Sequence, residues 1–138
     1  MQTDISNTQS LAGLRILIAE DDDLNRQLLE IILTGAGAEV TQVCDGEAAT
    51  AIFHPNRFDL AILDLRMPRQ DGMTTLAEIR RLDEQFPVAA LTACARREDR
   101  LACQAAGFQL FLTKPILPGD LVIALIELAE TRAVDSVA

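Results

Sequence analysis

The chain has 138 residues, 49% hydrophobic and 24% charged, which is enough apolar material for one packed core and short for two domains of ordinary size. With 21 acidic against 12 basic residues the formal net charge is −9, and so acidic a surface repels nucleic-acid backbones and anionic lipid headgroups alike. The apolar stretch Leu121 to Ala129 is broken by Glu127 and is about half a bilayer span, and no basic residue precedes Arg15 as a signal peptide would require, so a cytoplasmic location is expected.

Residues 1–13 are polar and without periodicity, and they read as a flexible lead-in. Arg15 to Ala19 is continuously apolar, as a strand buried on both faces must be, and ends abruptly in Glu20-Asp21-Asp22-Asp23. Leu24, Leu28, Ile31 and Ile32 then fall at helical spacing, with Asp22 or Asp23 as N-cap and Gly35 and Gly37 as the stop. Glu39 to Val43 is a more polar strand suited to a sheet edge, and Gly46 to Phe53 is a short Ala-rich helix ended by Pro55. Phe58 to Leu63 forms the third strand, closed by Asp64. Pro68 and Asp71-Gly72 mark a turn before the helix Met73 to Leu82. Pro87 to Leu91 is the fourth strand, ending at Thr92. A charged helix from Arg96 to Ala106 stops at Gly107, and Phe108 to Leu112 is the fifth strand before Thr113-Lys114-Pro115. Leu121, Leu125 and Leu128 stripe a last helix. The result is an α/β domain over residues 14–130, a parallel sheet covered on both faces, followed by a frayed tail, 131–138.

Four of the five strands end in a side chain with chemistry: Glu20 and Asp21, Asp64, Thr92 and Lys114. Ligands of open α/β sheets bind outside the carboxyl ends of the strands, so these groups should converge. Three carboxylates in one place repel one another unless they share a cation, and an oxygen-only site suits Mg²⁺. A hydroxyl and an ammonium facing that cation and a carboxylate equip a site for phosphoryl transfer onto the carboxylate. Lys114 stands out because the chain has eleven arginines and this one lysine, placed at a strand end. For Asp22 and Asp23, helix capping is the preferred reading. Cys44, Cys94 and Cys103 lack C-x-x-C spacing and read as reduced thiols, while His54, before Pro55, reads as a loop residue.

Ile16-Leu-Ile-Ala-Glu-Asp-Asp-Asp-Leu-Asn-Arg26, Asp64-Leu-Arg-Met-Pro68 with Asp71-Gly72, Leu91-Thr-Ala93 and Phe111-Leu-Thr-Lys-Pro115 together resemble the response-regulator receiver domain of two-component signalling. The likeness runs from about Arg15 to Leu128, and in pattern is closest to receivers of hybrid sensor histidine kinases. It implies a flavodoxin-like, doubly wound five-stranded parallel sheet in the order 2-1-3-4-5 with five helices. It implies that Asp64 accepts a phosphoryl group from the phosphohistidine of a histidine kinase or histidine phosphotransfer protein. By the same resemblance, Asp21, Asp64 and the backbone carbonyl of Arg66 hold Mg²⁺, with Glu20 assisting through water. Thr92 and Lys114 bind phosphoryl oxygens, Lys114-Pro115 is a cis peptide, and Phe111 is an aromatic switch paired with Thr92.

The resemblance further implies a switch that catalyses its own phosphorylation and dephosphorylation, alone or as a segment of a hybrid kinase. Its output would be a contact to a downstream protein partner through the helix Arg96 to Ala106, the fifth strand and the last helix, with homodimerisation through that face as an option. Gln109 and Leu110 depart from the acidic residues frequent there in the family, and Arg66 and Cys94 occupy positions that tune dephosphorylation. Two competing readings are a Mg²⁺-dependent phosphatase and an adaptor that only keeps the fold. The first usually has Asp where Arg66 stands, and the second would be expected to lose one of the pocket residues.

Overall fold

In the computed structural model, which describes residues 10–93 and 96–137 and side chains only as far as residue 131 in the last helix, ten elements alternate strictly. They are β1 (Arg15–Ala19), α1 (Asp23–Gly35), β2 (Glu39–Val43), α2 (Gly46–Ile52), β3 (Leu60–Asp64), α3 (Gly72–Leu82), β4 (Val88–Thr92), α4 (Arg97–Ala106), β5 (Leu110–Thr113) and α5 (Pro118–Val137). All strand pairs are parallel, in the order β2-β1-β3-β4-β5.

That order fixes where each helix lies. Parallel crossovers are right-handed, so a connection stepping one way along the sheet lands on one face and a connection stepping back lands on the other. The step from β1 out to β2 carries α1, and the three steps back through β3, β4 and β5 carry α2, α3 and α4 to the opposite face. Side-chain alternation along the strands feeds both layers. Ile16 and Ile18 pack with Leu29 and Leu33 of α1 and with Leu121 and Leu125 of α5. Leu17 and Ala19 pack with Ala49, Leu76, Ile79 and Cys103 of the middle helices. β1, β3 and β4 are covered on both faces and so are apolar almost throughout, while β2, an edge strand, can afford its polar sequence.

The direction reverses between β1 and β3, and the loops after these two strands leave toward opposite faces. This is where a crevice must open at the carboxyl edge. Glu20 and Asp21 follow β1, and Asp64 is the last residue of β3.

Two expectations are corrected. The lead-in does not extend to residue 13: Leu11 is fully buried in the α1/α5 core, and its N–H donates to Ala36 O at 2.8 Å. Leu11 caps an otherwise open end of the apolar layer, a role one leucine in a polar stretch does not announce. The tail does not begin at 131, because α5 remains helical to Val137. Gln109 is a structural tie. Its Oε1 accepts from Val88 N–H (2.7 Å) and Arg80 Nη2 (3.0 Å), and its Nε2 donates to Phe86 O (3.0 Å), which ties the amino ends of β4 and β5 to α3. Among the described residues no helix is long and apolar enough to cross a membrane. Cys44 is exposed and Cys103 buried, both as free thiols, and Cys94 lies outside the described residues.

Leu11→Ala should destabilise the protein by about 2–5 kcal/mol through lost burial and a residual cavity. Urea unfolding followed by circular dichroism measures it. An unchanged midpoint would return Leu11 to a flexible lead-in.

Candidate functional site

Four consecutive acids follow β1, and the structure gives each a different environment. Glu20 is fully buried, with its N–H on Val43 O at 3.1 Å, its Oε2 accepting Asp22 N–H at 3.1 Å and its Oε1 2.8 Å from Lys114 Nζ. Asp21 is exposed and points its carboxylate at the same place as Glu20 and Asp64. Asp22 is the N-cap of α1, accepting from Asn25 N–H at 2.8 Å. Asp23 is paired with Arg26, whose other terminal nitrogen donates to Glu20 O at 2.8 Å.

Asp64 is 4% exposed, and its two oxygens are held separately. Oδ1 accepts Arg66 N–H at 3.1 Å, and Oδ2 lies 2.9 Å from Lys114 Nζ. Arg66 itself is exposed. The loop from Leu65 to Gly72 folds back so tightly that a Cβ on Gly72 would stand 2.5 Å from Asp64 O, and Gly72 N–H closes the loop on Leu65 O at 3.1 Å. Gln70 straps the loop to its neighbours, its Nε2 lying 3.1 Å from Gly46 O, 2.6 Å from Thr50 Oγ1 and 3.0 Å from Thr75 Oγ1. Arg69, with φ of 69°, is in the left-handed region and pairs with buried Asp45 at 3.7 Å.

The remaining groups come from the other two strand ends. Thr92, 3% exposed, ends β4 one residue past Leu91, the partner of Asp64 across the sheet, and its carbonyl accepts Lys114 N–H at 2.8 Å. Lys114-Pro115 is cis, as expected. Phe111 is paired with Ala90 in the sheet and half-buried on the α4 side, with the Arg100 guanidinium 4.8 Å above its ring.

The electrostatics follow from three carboxylates around one ammonium. Carboxylate oxygens of Glu20, Asp21 and Asp64 lie within 4.8 Å of one another. Burial pushes the Glu20 carboxyl up to about 7, the neighbouring Asp64 adds to this, and Lys114 only partly offsets it. Burial works against the Lys114 charge, but the attraction of the Glu20 and Asp64 carboxylates outweighs it and raises its pKa. Glu20 Oε1 is buried and, although close to Lys114, makes no aligned hydrogen bond. An all-oxygen donor set with surplus negative charge and an unsatisfied carboxylate oxygen fits a hard divalent cation such as Mg²⁺.

The strand-end residues read from the sequence, Glu20, Asp21, Asp64, Thr92 and Lys114, therefore meet at one edge of the sheet. Sequence reasoning passed over Gln70 and left Arg26 without a role. A polar residue between the turn signals Pro68 and Gly72 looks like ordinary loop, and only the tertiary fold brings α2 and α3 within its reach.

The chain matches the family model described as response regulator receiver domain over residues 16–126. It is 38% identical over 116 residues to an uncharacterized 14.6 kDa protein of Leptolyngbya boryana, covering 83% of this chain and 88% of that one. It is 37% identical to the transcriptional regulatory protein RprY of Bacteroides fragilis over 74% of this chain, yet spans only 43% of RprY. Among solved structures it is similar to the receiver domain of the sensor histidine kinase PA1611 of Pseudomonas aeruginosa, which has a magnesium ion coordinated in its active site cleft. That likeness has a TM-score of 0.77 and 34% identity, and covers 86% of this chain and 99% of that one. A matched segment holding all five strands and every strand-end group of the pocket, on a sheet of the same topology, places this chain in the response regulator receiver domain family.

Proposed function

We propose that Asp64 is a phosphoacceptor that takes its phosphoryl group from the phosphohistidine of a histidine kinase or histidine phosphotransfer protein. The observation that carries this reading is the Lys114 ammonium 2.9 Å from Asp64 Oδ2 and 2.8 Å from Glu20 Oε1, within a cluster of three carboxylates at the switch point of the sheet. An ionised Asp64 oxygen attacks phosphorus in line, the P–N bond to the donor imidazole breaks, and its electron pair returns to the ring nitrogen. Asp21, Asp64 and the Arg66 carbonyl would hold Mg²⁺, with Glu20 acting through water. When bound, that ion supplies positive charge against the phosphoryl oxygens. Lys114 can turn a proton from Asp64 to a phosphoryl oxygen without leaving the pocket, and the Thr92 hydroxyl supplies a second donor.

An apolar furrow of about 80 Å³, lined by Leu28, Leu29 and Ile32 of α1 and by Lys114, Pro115 and Ile116, opens beside the pocket. Leu24, Leu28 and Ile31 extend it as an exposed apolar strip, 50–74% accessible. Such a strip suits a donor protein that must bring its phosphohistidine to Asp64. The output is a contact to a downstream protein through α4, β5 and α5: an inward shift of Thr92 vacates space that Phe111 can enter. That face would also serve a homodimer, and the net charge of −9 argues for a protein rather than a nucleic acid as the partner.

Incubation with acetyl phosphate should label the protein in Mg²⁺, not in chelator, and not in the Asp64→Asn variant. Labelling of that variant to the wild-type extent would remove Asp64 from its role.

Lys114→Ala should keep the fold, because the lysine sits at a strand end outside the apolar layers, while losing some stability with the one ammonium between Glu20 and Asp64. It should still be phosphorylated yet fail to pass the change on. Methyl and ring NMR shifts around Phe111, with and without beryllofluoride, read this. Wild-type shift changes in the variant would rule Lys114 out as a phosphoryl ligand.

The Glu20 carboxyl sets a pH dependence. Its folded value of about 7 lies above the ordinary 4.5, so the folded state binds the extra proton more tightly. This stabilisation is fully present below about pH 4.5 and is lost as pH rises through about 7. Metal-free wild type should therefore lose stability from pH 5 to 8 relative to Glu20→Gln, and Mg²⁺ should reduce the loss. Parallel urea midpoints for both proteins would contradict the assignment.

A further inference from the structure

The geometry points to Arg26 as a positioning residue for the Mg²⁺ ligands, acting through the Glu20 carbonyl that its guanidinium grips while its other arm holds Asp23. The inference rests on the reading of the pocket as a Mg²⁺ site and extends it to a residue on the far side of the β1–α1 loop.

The problem this loop must solve is one of sorting. Glu20, Asp21, Asp22 and Asp23 follow one another, yet two must face Asp64 and two must not. Asp22 is occupied as the cap of α1. Asp23 is drawn away by Arg26 Nη2, while Arg26 Nη1 donates to Glu20 O at 2.8 Å. The Arg26 side chain is 17% exposed and Asp23 81%, so the arm on the Glu20 carbonyl is enclosed while the arm on Asp23 faces solvent.

Pinning the Glu20 carbonyl has a consequence beyond Glu20. The carbonyl belongs to the same rigid peptide plane as the Asp21 N–H and Cα, so pinning it fixes where the Asp21 Cα stands and the axis about which its side chain turns. Glu20 is independently held by Val43 O, Asp22 N–H and Lys114. Asp21 has no comparable support: among the described residues no hydrogen bond or ion pair holds its carboxylate, although it lies within the 4.8 Å cluster. Its aim depends on the peptide that Arg26 fixes. A planar fork can hold a carbonyl and a carboxylate at once, whereas a lysine ammonium carries the charge without that two-point geometry.

This separates position from charge and gives the test. The purified chain is titrated with Mg²⁺ by isothermal calorimetry and by ¹⁵N–¹H NMR, with urea unfolding in parallel. Arg26→Lys keeps the charge and should weaken Mg²⁺ binding about 10-fold or more, the usual size for loss of a group that orients metal ligands. Asp23→Asn keeps an acceptor for the fork and should bind Mg²⁺ within about threefold of wild type. In metal-free protein the Asp21 amide resonance should move in Arg26→Lys and stay in Asp23→Asn. Wild-type affinity in Arg26→Lys, or an unmoved Asp21 amide, would overturn the proposal and leave the Mg²⁺ reading standing. A wild-type protein that binds no Mg²⁺ would overturn both. Should Arg26→Lys unfold, Arg26→Gln, which keeps a planar donor to the carbonyl, should retain a wild-type Asp21 amide shift, and a displaced one would equally refute the role.

Discussion

Glu20 and Asp64 are buried at the ends of adjacent strands and share a single ammonium, Lys114, at 2.8 and 2.9 Å. Two carboxylates brought this close out of water are unstable against each other, and one lysine does not neutralise them once Asp21 joins the cluster. The pocket is left short of positive charge, which adds to burial in raising the Glu20 pKa. A divalent cation or a proton relieves the deficit. The pocket's demand for positive charge and its sensitivity to pH therefore have one origin.

A charge arrangement of this kind survives only in a rigid frame, because a mobile loop would swing its acids into solvent. The frame is built from small, specific contacts. Gly72 lets the β3–α3 loop pass within contact distance of the Asp64 carbonyl, where any side chain would collide. Gln70 ties that loop to α2 and α3, and Arg26 ties the preceding loop to the first turn of α1. Each replaces water around main-chain polar groups with a fixed partner, as enclosed loops require.

The pocket is continuous with a second surface through the sheet itself. Thr92 accepts Lys114 N–H on its carbonyl, and Phe111 lies three residues before Lys114 on the same edge strand. Arg100 over the Phe111 ring links that strand to α4, an attraction small enough to be broken by a modest change in packing. The residues of this edge strand are all only partly buried, whereas β1 and β3 are packed on both faces.

The sequence by itself determined the alternation of elements, the order in which chemical groups arrive at strand ends, and the identity of the pocket residues. These are local properties: an apolar run of strand length, a helical stripe and a terminal polar residue all lie within a few positions of one another. Chain composition singled out Lys114. The sequence could not divide the work among Glu20, Asp21, Asp22 and Asp23, since four adjacent carboxylates are chemically alike and differ only in where the backbone points them. Nor could it show that Leu11 closes a core, that Gln70 and Gln109 are structural ties, or that Arg26 reaches back to Glu20. Those roles depend on partners supplied by other elements or on the turn of a loop in space. Tertiary structure decided them, because burial and hydrogen-bond direction exist only once the strands are side by side.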